Sequence, residues 1–170
     1  MRTFTVFIFT LPLIFGCWPS SVSFMDKGSM PEEWKTFSVI TLDNNAPNTP
    51  LSYATSISEK VKDGIQNNTR LLLNSNSDSA EVIIEGVITN YVISPIALLD
   101  GDNASQNRLS ISVKFAIFIT KPEDNKITIT STRFVDYDSN TDLGTVEGDL
   151  LEEVNDQIVQ DVINKLLSNW

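Results

Sequence analysis

The sequence predicts an α+β domain in which two helices pack on one face of a mostly antiparallel or mixed β-sheet. Residues 109–119 carry an apolar side chain at every second position, the period of a strand with one face on a core. Residues 51–65 and 150–167 carry apolar side chains at steps of three and four, the period of amphipathic helices. Shorter β-branched and aromatic runs complete the predicted order β-α-β-β-β-β-α.

The first half of the chain is predicted to alternate between strands and a helix. A strand over 36–42 ends in turn residues 43–48. The first helix then opens with Thr49 as N-cap and Pro50 at its first position. A short strand over 70–73 follows it.

The second half of the chain is predicted to contain three long elements. A strand over 81–93 is apolar on both faces near its start, which indicates a position inside the sheet. A loop over 94–107 has a length often associated with function or mobility. Residues 109–120 and 127–137 then form a hairpin around the polar segment 121–126, with a bulge or a twist expected near 131–134 because the apolar phase shifts there.

The last helix is expected to begin near Gly144 or Thr145 and to run to about Ser168. Gly144 would be its N-cap, with Glu147 at capping-box spacing.

Length, charge and residue types exclude several functions. At 170 residues the chain forms one domain, and its formal net charge of -10 argues against nucleic acid as a partner. The chain has no His and one Cys, which excludes a catalytic His, a Cys-His pair, a disulfide and a Cys/His zinc site within one chain. We therefore expect a protein that is not an enzyme and that uses no cofactor.

The amino terminus has the pattern of a bacterial lipoprotein signal. Arg2 precedes an apolar stretch that is too short to span a bilayer, and a small residue stands directly before Cys17. Residues 1–16 are therefore predicted to be a signal peptide and 17–35 a tether lipidated at Cys17. Residues 36–170 form the predicted domain, which the lipid would hold at a membrane.

An oxygen-rich segment near the last helix partly matches an EF-hand calcium loop. Counted from Asp136, oxygen side chains stand at places 1, 3, 5, 7 and 12, but place 6 is Thr141 where that loop needs Gly, and a strand rather than a helix precedes it. A polar strand-to-helix connection with capping residues is the favoured interpretation. The weaker calcium candidates are Asp136, Asp138, Asn140, Asp142 and Glu147.

Three cations lie on the predicted hairpin. Arg108, Lys114 and Arg133 are ordinary surface charges if the outer face of the sheet is solvated. If that face binds a ligand, they are the natural contacts for an anionic group, because each offers a charge-assisted hydrogen-bond donor.

Several short segments, in this order and spacing, resemble the LptE-like family of small lipopolysaccharide-assembly lipoproteins of Gram-negative outer membranes. The resemblance covers most of the chain after Cys17. It is carried by residues 22–24, 28–31, 35–39, 44–47, 69–71, 85–86, 107–109, 133–138 and 146–147.

The resemblance implies a protein anchored by lipid on the periplasmic side of the outer membrane. Such proteins sit inside a large β-barrel translocon, help it assemble and plug its lumen while lipopolysaccharide is delivered to the outer leaflet. It implies that barrel as partner, with the loops over 94–107 and 121–126 buried on assembly, and lipopolysaccharide as a candidate ligand. The alternative is a free-standing lipoprotein facing the periplasm that binds a ligand or calcium.

Overall fold

The computed structural model describes residues 30–96 and 106–168. In this part of the chain it contains two α-helices, one turn of 3₁₀ helix (Ser77–Ser79) and a six-stranded sheet. The elements are β1 (Thr36–Val39), β2 (Asp43–Asn44), α1 (Tyr53–Asn68), β3 (Leu72–Leu73), β4 (Val82–Ile96), β5 (Gln106–Ile119), β6 (Asn125–Asp138) and α2 (Leu143–Leu167).

The sheet is mixed, with a long antiparallel half and a short parallel half. Its strand order is β3-β1-β4-β5-β6, and β2 also pairs with β4. The pairs β4–β5 and β5–β6 are antiparallel, whereas β1 and β2 run parallel to β4 and β3 runs parallel to β1. The predicted α+β class, with helices packed on the sheet, is confirmed.

The predicted hairpin is confirmed, but the bulge expected near 131–134 is wrong. β5 and β6 pair without a shift over their whole length, and the irregularity lies between Ile88 and Asn90 of β4. The apparent phase change has another cause. Ser131 continues the core-facing side of β6 as a buried polar residue, and the apolar Phe134 lies on the opposite face, where it is exposed.

Both predicted N-cap residues are wrong, whereas α2 begins within one residue of its predicted start. α1 begins at Tyr53 after a turn in which its N–H donates to the carbonyl of Pro50, and Leu51 is fully exposed rather than part of the apolar stripe. α2 has Asp142 as its N-cap, because that carboxylate accepts from the N–H of Gly144. Gly144 has no side chain with which to do the same.

Strand ends differ from the predicted ones by several residues. β1 stops at Val39, β3 consists of two residues, and β2 forms where a turn was predicted. β4 reaches Ile96 and β5 begins at Gln106, so the strands take up both ends of the predicted loop over 94–107. Residues 97–105 of that loop lie outside the described residues.

The end of the predicted tether is packed against the domain. Met30 and Trp34 are buried in the core, and the indole Nε1 of Trp34 donates to the carbonyl oxygen of Lys121 at 2.8 Å. Arg70 donates to the carbonyl oxygens of Met30 and Pro31. The described part of the tether is therefore fixed to the end of the sheet that carries the β5–β6 turn.

The two helices approach each other closely at a glycine. A Cβ atom on Gly64 of α1 would lie 2.2 Å from Cγ1 of Val159 in α2. Valine is stiff about χ1 in a helix, so Val159 cannot simply turn away. Gly148 of α2 is a matched helical glycine whose Cβ would meet no atom within 4 Å.

We predict that Gly64→Ala lowers the free energy of unfolding by about 1–3 kcal/mol through overpacking. The control, Gly148→Ala, should raise it by up to about 1 kcal/mol, because alanine has the higher helix propensity and meets nothing there. Chemical denaturation of the two variants measures both effects. Stabilisation of similar size in both variants would contradict the close helix contact.

Candidate functional site

The sheet face opposite the helices is the surface on which sequence reasoning placed a ligand. We call it the open face; on β4, β5 and β6 it is formed by the side chains that alternate with those of the core. Val92 and Phe134 of this face are 44% and 48% exposed, and both neighbour Ser110 across the strands. The open face therefore presents apolar side chains among hydroxyl and charged groups.

Arg108 lies at one end of the open face and is held by a carboxylate. It is directly opposite Asp136 on β6, and its Nε and Nη2 donate to the two carboxylate oxygens at 2.7 and 2.8 Å. Its guanidinium also lies 3.7 Å from the ring centroid of Phe134. The hydrogen bonds from Arg108 lower the pKa of Asp136, so the pair stays ionised.

Lys114 lies in the middle of the open face, between Val87 on β4 and Thr130 on β6. It is exposed, and no ion pair joins it to a carboxylate in the described part of the chain. Six residues separate it from Arg108, which is about 20 Å along a strand. Of the three candidate cations, Lys114 is the one whose charge the described residues leave uncompensated.

Arg133 faces the other way, towards α2. It makes a two-pronged contact with Asp161 through Nε, at 2.8 Å, and Nη2, and the hydroxyl of Ser131 donates to the same carboxylate at 2.6 Å. The structure thus brings Arg108 and Lys114 to one face and Arg133 to the opposite one. The three cations do not converge on one anionic ligand.

Asp161 is charged although α2 and β6 partly cover it. Burial alone raises the pKa of Asp161, but the hydrogen bonds from Arg133 and Ser131, together with the charge of Arg133, outweigh this effect and leave the pKa below its ordinary value. The cluster joins the last helix to the edge strand.

The residues of the calcium candidate are each held in separate contacts. Asp136 binds Arg108, Asp138 accepts from the backbone and side-chain nitrogens of Asn140, and Asp142 caps α2. Glu147 accepts from the hydroxyl of Tyr91. Within the described residues no three His, Cys, Asp or Glu side chains are placed to hold a metal ion. The contacts fit the favoured interpretation, a polar connection with caps.

A buried polar network under α2 was missed by sequence reasoning. The Tyr53 hydroxyl donates to Oδ1 of Asn155 at 2.7 Å, and Tyr53 meets Tyr91 edge to face at 6.1 Å between ring centroids. Burial, helped by the contact with Glu147, raises the pKa of Tyr91. These groups attach both helices to β4. The tyrosines stood within apolar patterns, but nothing in the sequence paired them with Asn155 or Glu147.

No helix in the described ranges is both long enough and apolar enough to cross a membrane.

Two solved structures share this fold. The hypothetical protein CT253 from Chlamydia trachomatis matches with a TM-score of 0.55 at 12% identity, over 80% of this chain and 99% of that one. An uncharacterized lipoprotein B from Nitrosomonas europaea matches with a TM-score of 0.51 at 15% identity, over 82% and 84%. At these identities the likeness shows the fold, which is one that a lipoprotein uses.

The family is given by a sequence profile. The profile described as "LptE: Lipopolysaccharide-assembly" matches residues 34–166, and the chain belongs to this family. None of the curated protein sequences matches the chain significantly. The resemblance noted in the sequence is thereby confirmed, and membership of this family indicates a protein of lipopolysaccharide assembly.

We predict that Asp161→Asn lowers the free energy of unfolding by about 1–2 kcal/mol at pH 7, because it removes the charged partner of Arg133. The pKa of Asp161 is lower in the folded chain than its ordinary value of 3.8, so this stabilisation is present above that pH and is lost as the pH falls through the folded pKa. The variant should therefore lose less stability than the unmutated chain when the pH is lowered.

Asp156→Asn is the matched control on the same helix. Asp156 is 67% exposed and forms a 3.5 Å ion pair with Lys60, so its loss should cost less than about 0.5 kcal/mol. Denaturant unfolding at neutral and acid pH measures both variants. Equal effects of the two substitutions would refute the role given to the Arg133–Asp161 contact.

Proposed function

We propose that this chain is an outer-membrane lipoprotein that assists assembly of the β-barrel lipopolysaccharide translocon and plugs its lumen. The match of the family profile over residues 34–166 carries the proposal. That range takes in β1 to β6 and α1, and nearly all of α2. The role therefore belongs to the folded body as a whole rather than to an added segment.

The open face supports a role as a plug. The lumen of a transmembrane barrel is polar, so a body that fits inside it needs hydroxyl and charged groups on its contact surface. The open face offers a row of them on β5 and β6: Ser110, Ser112, Thr128, Thr130 and Thr132. The turn over 121–126 is exposed along its whole length and is available to the same partner.

Lys114 is the residue we propose for a direct contact with lipopolysaccharide. The anionic groups of that lipid require a cation that is free to bind them. Arg108 and Arg133 are already held by Asp136 and Asp161, whereas Lys114 has no such carboxylate within the described ranges. Of these three cations, Lys114 is therefore the one left able to meet an anionic group through this face.

The lipid anchor sets where the body works. We propose lipidation at Cys17 after removal of residues 1–16, with the protein on the periplasmic side of the outer membrane. Thirteen steps of chain separate Cys17 from the docked Met30, which spans at most about 45 Å. The lipid would therefore keep the domain close to the membrane in which the barrel lies.

We predict that the tagged, lipidated chain, purified from solubilised outer membranes, carries a large β-barrel protein in a one-to-one ratio. A photo-crosslinking residue at Asp124, in the exposed turn, should link to that barrel. A second variant carries the photo-crosslinking residue in place of Asp63, on the polar face of α1, for comparison. Mass spectrometry identifies the linked partner.

Elution of the chain without a barrel would overturn the translocon proposal. The alternative, a free-standing lipoprotein that binds a ligand or calcium, would then be tested by titration of the purified chain with calcium. Barrel recovery without a crosslink at Asp124 would overturn the contact through the turn but not the partnership.

We predict that Cys17→Ser abolishes incorporation of fatty acid, because the thiol is the group that carries the lipid. Metabolic labelling with palmitate, followed by intact-mass measurement, reads the change directly. Ser20→Ala, which alters a neighbouring hydroxyl and leaves the thiol, is the control and should be labelled normally. Labelling of the Cys17→Ser chain would contradict the predicted lipidation site.

A further inference from the structure

The edge strand β6 has an outer side that pairs with no other strand among the described residues. It is 14 residues long and pairs with β5 along its whole length, and the strand order ends with it. On such an edge every second residue directs its N–H and C=O outwards. The opposite edge, β3, has two residues and so offers far less backbone.

β6 lacks several of the features that usually prevent pairing at a sheet edge, although it does carry charged side chains, among them Lys126 and Asp138. Natural edges are shortened, bulged, or interrupted by proline. β6 contains neither proline nor glycine, and its register with β5 has no shift. Arg133 does point inwards, which can also blunt an edge, but Asp161 compensates its charge.

We propose that β6 pairs antiparallel with β6 of a second copy of this chain, with Thr132 on the two-fold axis. In this register Lys126 of each copy faces Asp138 of the other, so opposite charges meet at both ends. Asp138 forms no ion pair within the described ranges, and the two hydrogen bonds from Asn140 both go to its Oδ1, so Oδ2 can make this contact. The pairing uses thirteen residues of each strand, from Lys126 to Asp138.

The same register matches the apolar side chains of the strand with one another. On the helix-facing side Ile127 lies opposite Tyr137 of the second copy and Ile129 lies opposite Val135. Ile127, Ile129 and Tyr137 are only partly buried in the isolated chain, so the pairing removes further apolar surface from water. On the open face Phe134 would meet Thr130, an aromatic and β-branched pair.

A groove beside β6 gives room for the second strand. It has a volume of about 610 Å³ and is lined by residues of β6 and the end of α2, among them Ile129, Arg133 and Asp161. In the proposed register Val135 and Ser131 of the second copy face Ile129 and Arg133 at this groove.

Of the two neighbouring antiparallel registers, the one centred on Ser131 is less favourable. In an antiparallel pair, residues whose backbone groups point outwards lie opposite residues of the same kind on the other strand. The next possible register is therefore shifted by two residues. It would place Lys126 opposite Asp136, which Arg108 already holds, and Arg133 opposite Ile129. The proposed register avoids both mismatches.

Cysteine variants test the pairing and its register. They are made in the full chain carrying Cys17→Ser, so that the introduced cysteine provides the one thiol of each chain. Residues on the two-fold axis have Cα atoms about 4.5–5.5 Å apart, within disulfide range, so Thr132→Cys should form an intermolecular disulfide on oxidation. Thr128→Cys is the matched control, an exposed threonine on the same face of β6. Its two copies would lie about 27 Å apart and should stay reduced.

Equal crosslinking of the two variants, or no disulfide at position 132, would overturn the proposal. Crosslinking that is fastest in Thr130→Cys would overturn the register, because it would place the axis at residue 130.

A charge exchange tests the same contact without a thiol. Lys126→Glu places like charges at both ends and should weaken the dimer about tenfold, whereas Lys126→Glu combined with Asp138→Lys should restore it. Sedimentation equilibrium measures the dissociation constant, and far-UV circular dichroism confirms folding. A wholly monomeric unmutated chain, or no recovery in the double variant, would overturn the proposal. Neither result depends on the barrel, so the test is separate from that of the proposed function.

Discussion

The burial of one side of β5 beneath the helices sets the position of every other element. Its core-facing side chains from Leu109 to Ile117 are fully buried, and each is worth about 1.5–3 kcal/mol relative to exposure. A slip of one residue would move all of them to the open face. This burial fixes the registers of β4 and β6 and, through them, the neighbours of each charged side chain: Arg108 meets Asp136 because the core fixes the pairing.

Sequence reasoning identified the elements whose burial follows a clear period, but it misplaced the features that depend on single polar residues. The alternation in β5 and the stripe in α2 predicted the class correctly. The bulge was misplaced because Ser131, a polar residue on the core side, is satisfied by Asp161, a partner thirty positions away. The N-cap of α2 was misplaced because Asp142 and Gly144 are both plausible caps, and a carboxylate accepts a backbone hydrogen bond that glycine cannot.

The sequence offered candidate residues for a ligand contact but could not indicate how they are arranged. Strand alternation indicated that Lys114 lies on the outer face, which the structure shows. It could not reveal that Arg133 faces α2, because that depends on an unbroken register. Nor could it reveal that carboxylates compensate two of the three cations, since Asp161 approaches from a helix whose rotation is set by its packing on α1 and β6.

The open face and the outer edge of β6 are separate surfaces that offer different contacts. The open face presents side chains, whereas the edge presents backbone groups that only another strand can satisfy in regular order. Pairing two copies through β6 would widen the sheet from about 20 Å to about 43 Å at the usual strand spacing. A body of that width would not enter a lumen sized for one copy. The two proposals therefore assign pairing through β6 and insertion into the barrel to different states of the chain, and an edge occupied by a second copy would have to be released before insertion.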